Sequence, residues 1–348
     1  MTNAQCPNDQ GMANAQCSAF GHSSFDHSLV IGAWSLGIAV LRLSALLLVL
    51  PLATGCGTMI RKAAVNNMAG MLRTDAPGNV YTSDDDPELI RAALPFALKT
   101  MEMFVQQDPG NPSLRIAAAS GFVQYANAFV EGDAAGTSAS FEQAQKAKQR
   151  AARLYLRGRD YALDGLELAY PGFKKELRTN AKETVAKLTK KDAPLAFWAG
   201  AGWAAAIPCD PNNMALVGEL PYAEAIMRRV LELDENYGAG SVHEFFIRFE
   251  GSRPEMMGGS PERAKQHFER AVELSGGLKA SPYVAMAETV AVKKQDAAMF
   301  KDLLGKALAI DVNAAPDWRL ANVLAQDQAR RLLARGPELF LDYEETKP

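Results

Sequence analysis

The chain has 348 residues, a formal net charge of −3 and 22% charged side chains, which is ordinary for a soluble protein with room for a sizeable core. That charge excludes a nucleic acid or an anionic membrane surface held through general electrostatics. Alanine and leucine are conspicuous and β-branched residues do not cluster into alternating runs, so helices are expected.

Residues 1–39 differ from the rest. Cys6, Cys17, His22 and His27 can be drawn as a zinc set, but their spacing fits no tight structural finger. The stretch is read as a disordered or non-native leader. Residues 29–53 are apolar except for Arg42 and a few small polar residues. A membrane-spanning helix would hold Arg42 near its centre at a cost of roughly 2.5–3.5 kcal/mol. The other reading makes 40–55 a signal peptide, with Arg42 as its basic start and 43–50 as its apolar run. Leu52, Ala53, Thr54, Gly55 and Cys56 then form a lipoprotein cleavage site, at which the Cys56 thiol is acylated and becomes the new N-terminus. On this reading translation starts near Val40. Gly57, by similarity to lipoproteins of bacteria with two membranes, directs the protein to the periplasmic face of the outer membrane. Residues 56–80 form a lipid-anchored tether.

The helical domain is expected over 81–342. Asp86 is the N-cap and Pro87 the first helical residue, and Pro95 is expected to kink the helix. A second, alanine-rich helix is expected over 113–130, then a loop over 131–140 and a long helix over 141–170 closed by Pro171 and Gly172. On the long helix Arg153, Arg157, Asp160 and Asp164 share a face. They form either a solvated ion-pair ladder or part of a cleft in which Arg157 or Arg159 offers a planar fork to a carboxylate. Gly200 and Gly202 inside the segment 195–207 imply close approach of a neighbouring helix. Trp198 and Trp203 point to different sides. Cys209 has no mate and no disulfide is needed.

From residue 221 a repeat is visible. Ala223, Ile226, Met227, Val230 and Leu231 fall at i, i+3, i+4, i+7 and i+8, a single helical stripe. The stripe recurs at Ala264, His267, Phe268, Ala271 and Val272, and at Phe300, Leu303, Leu304, Ala307 and Leu308. A copy with one polar intruder runs through Ala97, Thr100, Met101, Phe104 and Val105, and a degenerate one through Ala147, Arg150, Ala151, Leu154 and Tyr155. Asp108, Asp234 and Asp311 stand where such helices should stop. The pattern predicts an all-α fold of stacked tetratricopeptide-like helix pairs in a compact bundle. A terminal helix follows Trp318, and the acidic tail from residue 337, with 343–348 as its end, is expected to fray in part.

No enzyme signature is present. His243 and Glu244 begin like a zincin helix, but Ile247 stands where the second histidine should be. His243 and His267 are read as helix-packing residues, and no metal or cofactor is implied.

The stretches 155–163, 195–207, 220–246, 258–274 and 319–335, in this order, resemble the TatT family, the lipoprotein accessory component of some TRAP transporters. The resemblance implies a helical periplasmic lipoprotein that oligomerises, with a trimer as the suggested form. It also implies a partner, the periplasmic substrate-binding P component, and a cavity that accepts or passes a ligand. The alternative is an envelope scaffold for protein–protein assembly without ligand transport. If a ligand is held, Tyr155, Arg157, Arg159, Tyr161, Trp198 and Trp203 are the expected lining, with Arg228 and His243 as second choices. Tryptophan beside glycine would leave room, and arginine would orient an anionic head group.

Overall fold

The computed structural model describes residues 78–132 and 140–343. Cys56, the signal peptide, the leader with its Cys and His residues, and residues 344–348 lie outside the described residues. Asp86 caps the first helix as expected. Its Oδ1 accepts the backbone N–H groups of Glu88 and Leu89 at 3.0 Å each, satisfying two donors that the first turn leaves open. The resulting helix α1 (Pro87–Gln107) runs through Pro95 without a break and ends at Asp108. Helix α2 (Pro112–Tyr125), capped by Asn111, continues directly into a π-helical turn, Ala126–Glu131.

The long helix α3 (Phe141–Ala169) begins with a capping box in which Ser140 and Gln143 satisfy each other's backbone. It ends at Tyr170, and Gly172 turns the chain at φ 91°. Two short helices, α4 (Phe173–Thr179) and α5 (Ala181–Ala186), lead to α6 (Ala193–Cys209), which carries the two glycines. A Cβ on Gly202 would stand 2.9 Å from the Tyr155 carbonyl oxygen and from Val123 Cγ2. On Gly200 it would meet Met227 Cγ at 2.6 Å. The glycines therefore let α6 press against α3 on one side and against α7 (Leu220–Leu233) on the other. The space they free is taken by those helices, so the room expected beside the tryptophans is filled.

The repeat stripes are buried. Ala223, Ile226, Met227 and Val230 on α7 are fully enclosed, as are Ala264 and Ala271 on α9 (Pro261–Leu274). Phe300, Leu304 and Ala307 on α11 (Ala297–Leu308) are enclosed too. Between these lie α8 (Ser241–Ser252) and α10 (Ser281–Met286), the latter followed by a second π-helical turn, Ala287–Ala291. Among the described residues there are no strands, and the helices pack together as an all-α bundle. Asp108 and Asp234 cap α1 and α7 as predicted, whereas α11 stops at Leu308, short of Asp311.

The last long helix, α12 (Arg319–Ala334), returns to the beginning of the described chain. Leu320 N donates to Thr82 O at 3.0 Å, Arg319 Nη1 to Ser83 O at 3.1 Å, and Gly78 N to Asp317 Oδ1 at 2.7 Å. Leu320 also packs in the hydrophobic core of the first half. The buried Asn322 side chain bonds Leu278 O and Ala280 N, both at 2.9 Å, locking α12 against the turn before α10. The chain after α12 is tied down farther than the fraying expected of the tail: Phe340 is buried with its ring 4.9 Å from that of Phe300, and Tyr343 stacks on Phe340.

Candidate functional site

Residues two apart on a helix differ by about 200° around its axis, so the four expected residues of α3 divide between two sides. Arg157 and Tyr161 face α1. The Tyr161 hydroxyl donates to Glu102 Oε1 at 2.8 Å, Arg157 pairs with the same carboxylate, and its guanidinium lies 4.9 Å from the Phe122 ring centre. Burial works to raise the Glu102 carboxyl, but Lys99, Tyr161 and Arg157 outweigh it and hold it below its usual value. Burial and that carboxylate push the Tyr161 phenol up to about 12.

Arg159 faces the other way, 4.9 Å over the Trp203 ring, with Nη1 3.5 Å from Glu219 Oε2. Trp203 donates its indole N–H to that same oxygen at 3.0 Å, and Arg178 reaches Oε1 at 3.0 Å. Trp198 is buried edge-on to Phe197, its indole nitrogen without a partner among the described residues. The ladder proposed along α3 does not form. Asp164 pairs instead with Arg115 on α2 and Lys174 on α4, and Asp160 with its neighbour Arg159. Across-helix partners win because α3 is packed on two sides by other helices.

The second choices are also held by protein groups. Arg228 joins Arg253 and Arg263 around the fully buried carboxylate of Glu250. His243 meets His267 ring to ring, Nδ1 to Nδ1 at 2.9 Å.

Tyr155 leads to a group of residues that the sequence did not single out. Its buried hydroxyl donates to Glu131 Oε2 at 2.5 Å. Burial, reinforced by this carboxylate, raises the phenol well above its usual value, so the hydroxyl stays a donor. Burial, reinforced by the same carboxylate, pushes the Cys209 thiol up to about 12. Glu131 closes the first π-helical turn; Glu288 sits in the second. Arg248 Nη1 on α8 donates to Glu288 Oε2 at 2.6 Å, and Gln328 on α12 donates to the same oxygen at 3.1 Å.

Arg248 is the unusual member. It is exposed: 45% of its side-chain surface is open, as is 37% for Glu288. Burial works against its charge, but Glu288, with Glu131 and Glu244 behind it, outweighs this and raises its pKa. Among the described residues, Nε and Nη2 of Arg248 have no hydrogen-bond partner. That edge of the guanidinium is the one that grips a carboxylate or phosphate with two parallel bonds.

The arrangement can bind and orient a polar solute. Among the described residues, no three His, Cys, Asp or Glu side chains are placed to hold a metal ion, and no helix is long and apolar enough to cross a membrane. Residues 83–340 match the family described as TRAP transporter T-component. A protein of Treponema pallidum (strain Nichols), described as uncharacterized, is 33% identical over 268 residues, covering 76% of this chain and 83% of that protein.

Proposed function

The chain belongs to the TRAP transporter T-component family, and from that premise we propose that it is a lipid-anchored periplasmic accessory of a TRAP-type transport system. It docks the soluble substrate-binding component and holds or passes a small solute inside the helical bundle. Acylated Cys56 anchors it to the periplasmic face of the outer membrane, and copies of the chain associate, a trimer being the expected form. The observation that supports the solute-holding role is Arg248, paired with Glu288 through Nη1 and open to solvent, with Nε and Nη2 unengaged among the described residues. Arginine orienting an anionic group was expected at Arg157 or Arg159. Those guanidiniums are matched by Glu102 and by Glu219 and Asp160, so the role passes to Arg248.

A second reading, an envelope scaffold that only assembles proteins, draws on the large apolar side chains left on the outside, chiefly Phe96 and Met256. Arg248→Met separates the two. Transport requires solute uptake to fall while the fold and capture of the substrate-binding component persist. Unchanged uptake from a folded variant would favour the scaffold.

A further inference from the structure

We propose that the turn between α8 and α9 docks head to tail on α1 of a second copy of the chain, with Met256 seated between Leu89 and Phe96. This rests on the reading that copies associate, and it names the two faces that meet.

The receiving face is the outside of α1. The inner residues of that helix, among them Ile90, Leu94 and Met101, belong to the first core. On the outside Leu89, Ala92, Ala93 and Phe96 fall at i, i+3, i+4 and i+7, the four positions that frame a hole for an incoming side chain. Leu89 and Phe96 are exposed, Phe96 to 80%, and the two alanines between them make a low floor. Acids stand beside this hollow. The exposed Asp85 has no ion pair among the described residues, and Glu88, also exposed, is met by Arg91 at 3.5 Å.

The entering face is held rigid. Met256 is 93% exposed and Met257 is open too, yet the backbone beneath them is tied down. Arg253 Nε donates to Phe249 O at 2.9 Å, and Arg263 Nη2 to Gly258 O at 2.5 Å. Ser260 N donates to Glu250 O at 2.9 Å, and Lys293 Nζ to Arg253 O at 2.6 Å. A turn constrained in this way loses little further freedom on docking. Methionine also adapts readily to an irregular hollow.

Charge favours this pairing of faces. Arg228, Arg253 and Arg263 stand against Glu224 and the buried Glu250, three cations to two carboxylates. Nη1 of Arg228 and Nη1 of Arg263 have no hydrogen-bond partner among the described residues. Glu255 and Glu262 are exposed and pair with none of these arginines. The open donors suit Asp85 and Glu88, whereas the turn meeting its own copy would set arginine against arginine. The two faces belong to different parts of the molecule, α1 packing in the first core and α9 in the second. One copy therefore offers both, and such unlike faces join head to tail until a ring closes.

The test is sedimentation of the full chain in detergent, comparing the native protein with Phe96→Asp, Met256→Asp and a mixture of the two. Both positions are on the surface, so circular dichroism should show the fold intact. If α1 is disturbed, Ala92→Glu blocks the same hollow from an exposed helical position. Each variant alone should associate at least roughly tenfold more weakly, as expected when a central apolar anchor is lost. Equal amounts of the two should recover pairs and nothing larger, because one working face of each kind remains. Weakening in Phe96→Asp but not in Met256→Asp would mean that α1 meets α1, and would overturn the proposal. Unchanged association in both would overturn it while leaving the association of copies standing. A native chain that stays monomeric would overturn both. Binding to anionic vesicles or to the substrate-binding component, lost in the variants with no change in their association, would give the faces to that occupant instead.

Discussion

His243 and His267 share a single proton between their Nδ1 atoms, 2.9 Å apart. One ring must donate and the other accept. Because His243 Nε2 lies 3.7 Å from Glu235 Oε2, the assignment that avoids opposing lone pairs protonates His243 at Nε2 and makes His267 the donor. Both pKa values lie below the usual one, chiefly through burial. His267 falls to about 4, with His243 and the cations Arg228 and Arg263 adding to the effect and Glu250 opposing it.

A pH dependence follows. The unfolded chain takes up these protons below about 6.5, whereas folded His267 resists until about 4. Stability from this pair is therefore complete above the unfolded value and declines as pH falls from about 6.5 towards 4. The melting temperature should drop across that window, and His267→Gln should flatten the slope. An unchanged slope in a folded variant would contradict the assignment.

Two glycine substitutions should act in opposite directions. Gly202→Ala gains about 1 kcal/mol of helix propensity but drives a methyl to 2.9 Å from the Tyr155 carbonyl and Val123. Overpacking of about 1–3 kcal/mol should prevail. Gly305→Ala on α11 meets nothing within 4 Å and should stabilise by roughly 0.5–1 kcal/mol. Urea unfolding of the two variants measures both.

Leu304→Ala should cost about 2–5 kcal/mol, because the residue is fully buried in the second core. Phe268 occupies the same kind of stripe position but is only half-buried, edge-on to Tyr283. Its truncation should cost less, and thermal melts of the pair rank them.

Cys209, buried beside Glu131 with its thiol pushed up to about 12, should resist iodoacetamide at pH 8 in the native protein and react on unfolding. Peptide mapping by mass spectrometry reads this residue directly. Native-state labelling at the rate of a free thiol would mean that the site opens.

Acylation is expected at Cys56. Cys56→Ala should abolish palmitate labelling and leave the chain unprocessed or released from the membrane fraction. Labelling that survives the substitution would exclude it as the anchor.

The stripes at Ala223, Ala264 and Phe300 were legible because a helix must bury its apolar face, and that demand is written at 3.6-residue spacing. The N-cap at Asp86 and the close approach at Gly200 and Gly202 were legible for similarly local reasons. Arg248 was not. Nothing in its neighbourhood of sequence shows which carboxylate it meets or which edge of its guanidinium is left open. That depends on Glu288, forty positions onward in a π-helical turn, and on Gln328, which shares its oxygen. The pairing of Arg159 was hidden for the converse reason: its carboxylate partner, Glu219, lies sixty residues away.

The bonds from Gly78, Thr82 and Ser83 to the start of α12 bear on how the molecule comes apart. A linear array of repeats couples only neighbours and frays from its ends, so its halves melt separately. Here Leu320 is bonded to Thr82 and packs in the opposite core, leaving α12 no independent edge from which to peel. Hydrogen exchange should accordingly give α12 protection close to that of α2, rather than the steep loss towards the C-terminus that an open solenoid shows.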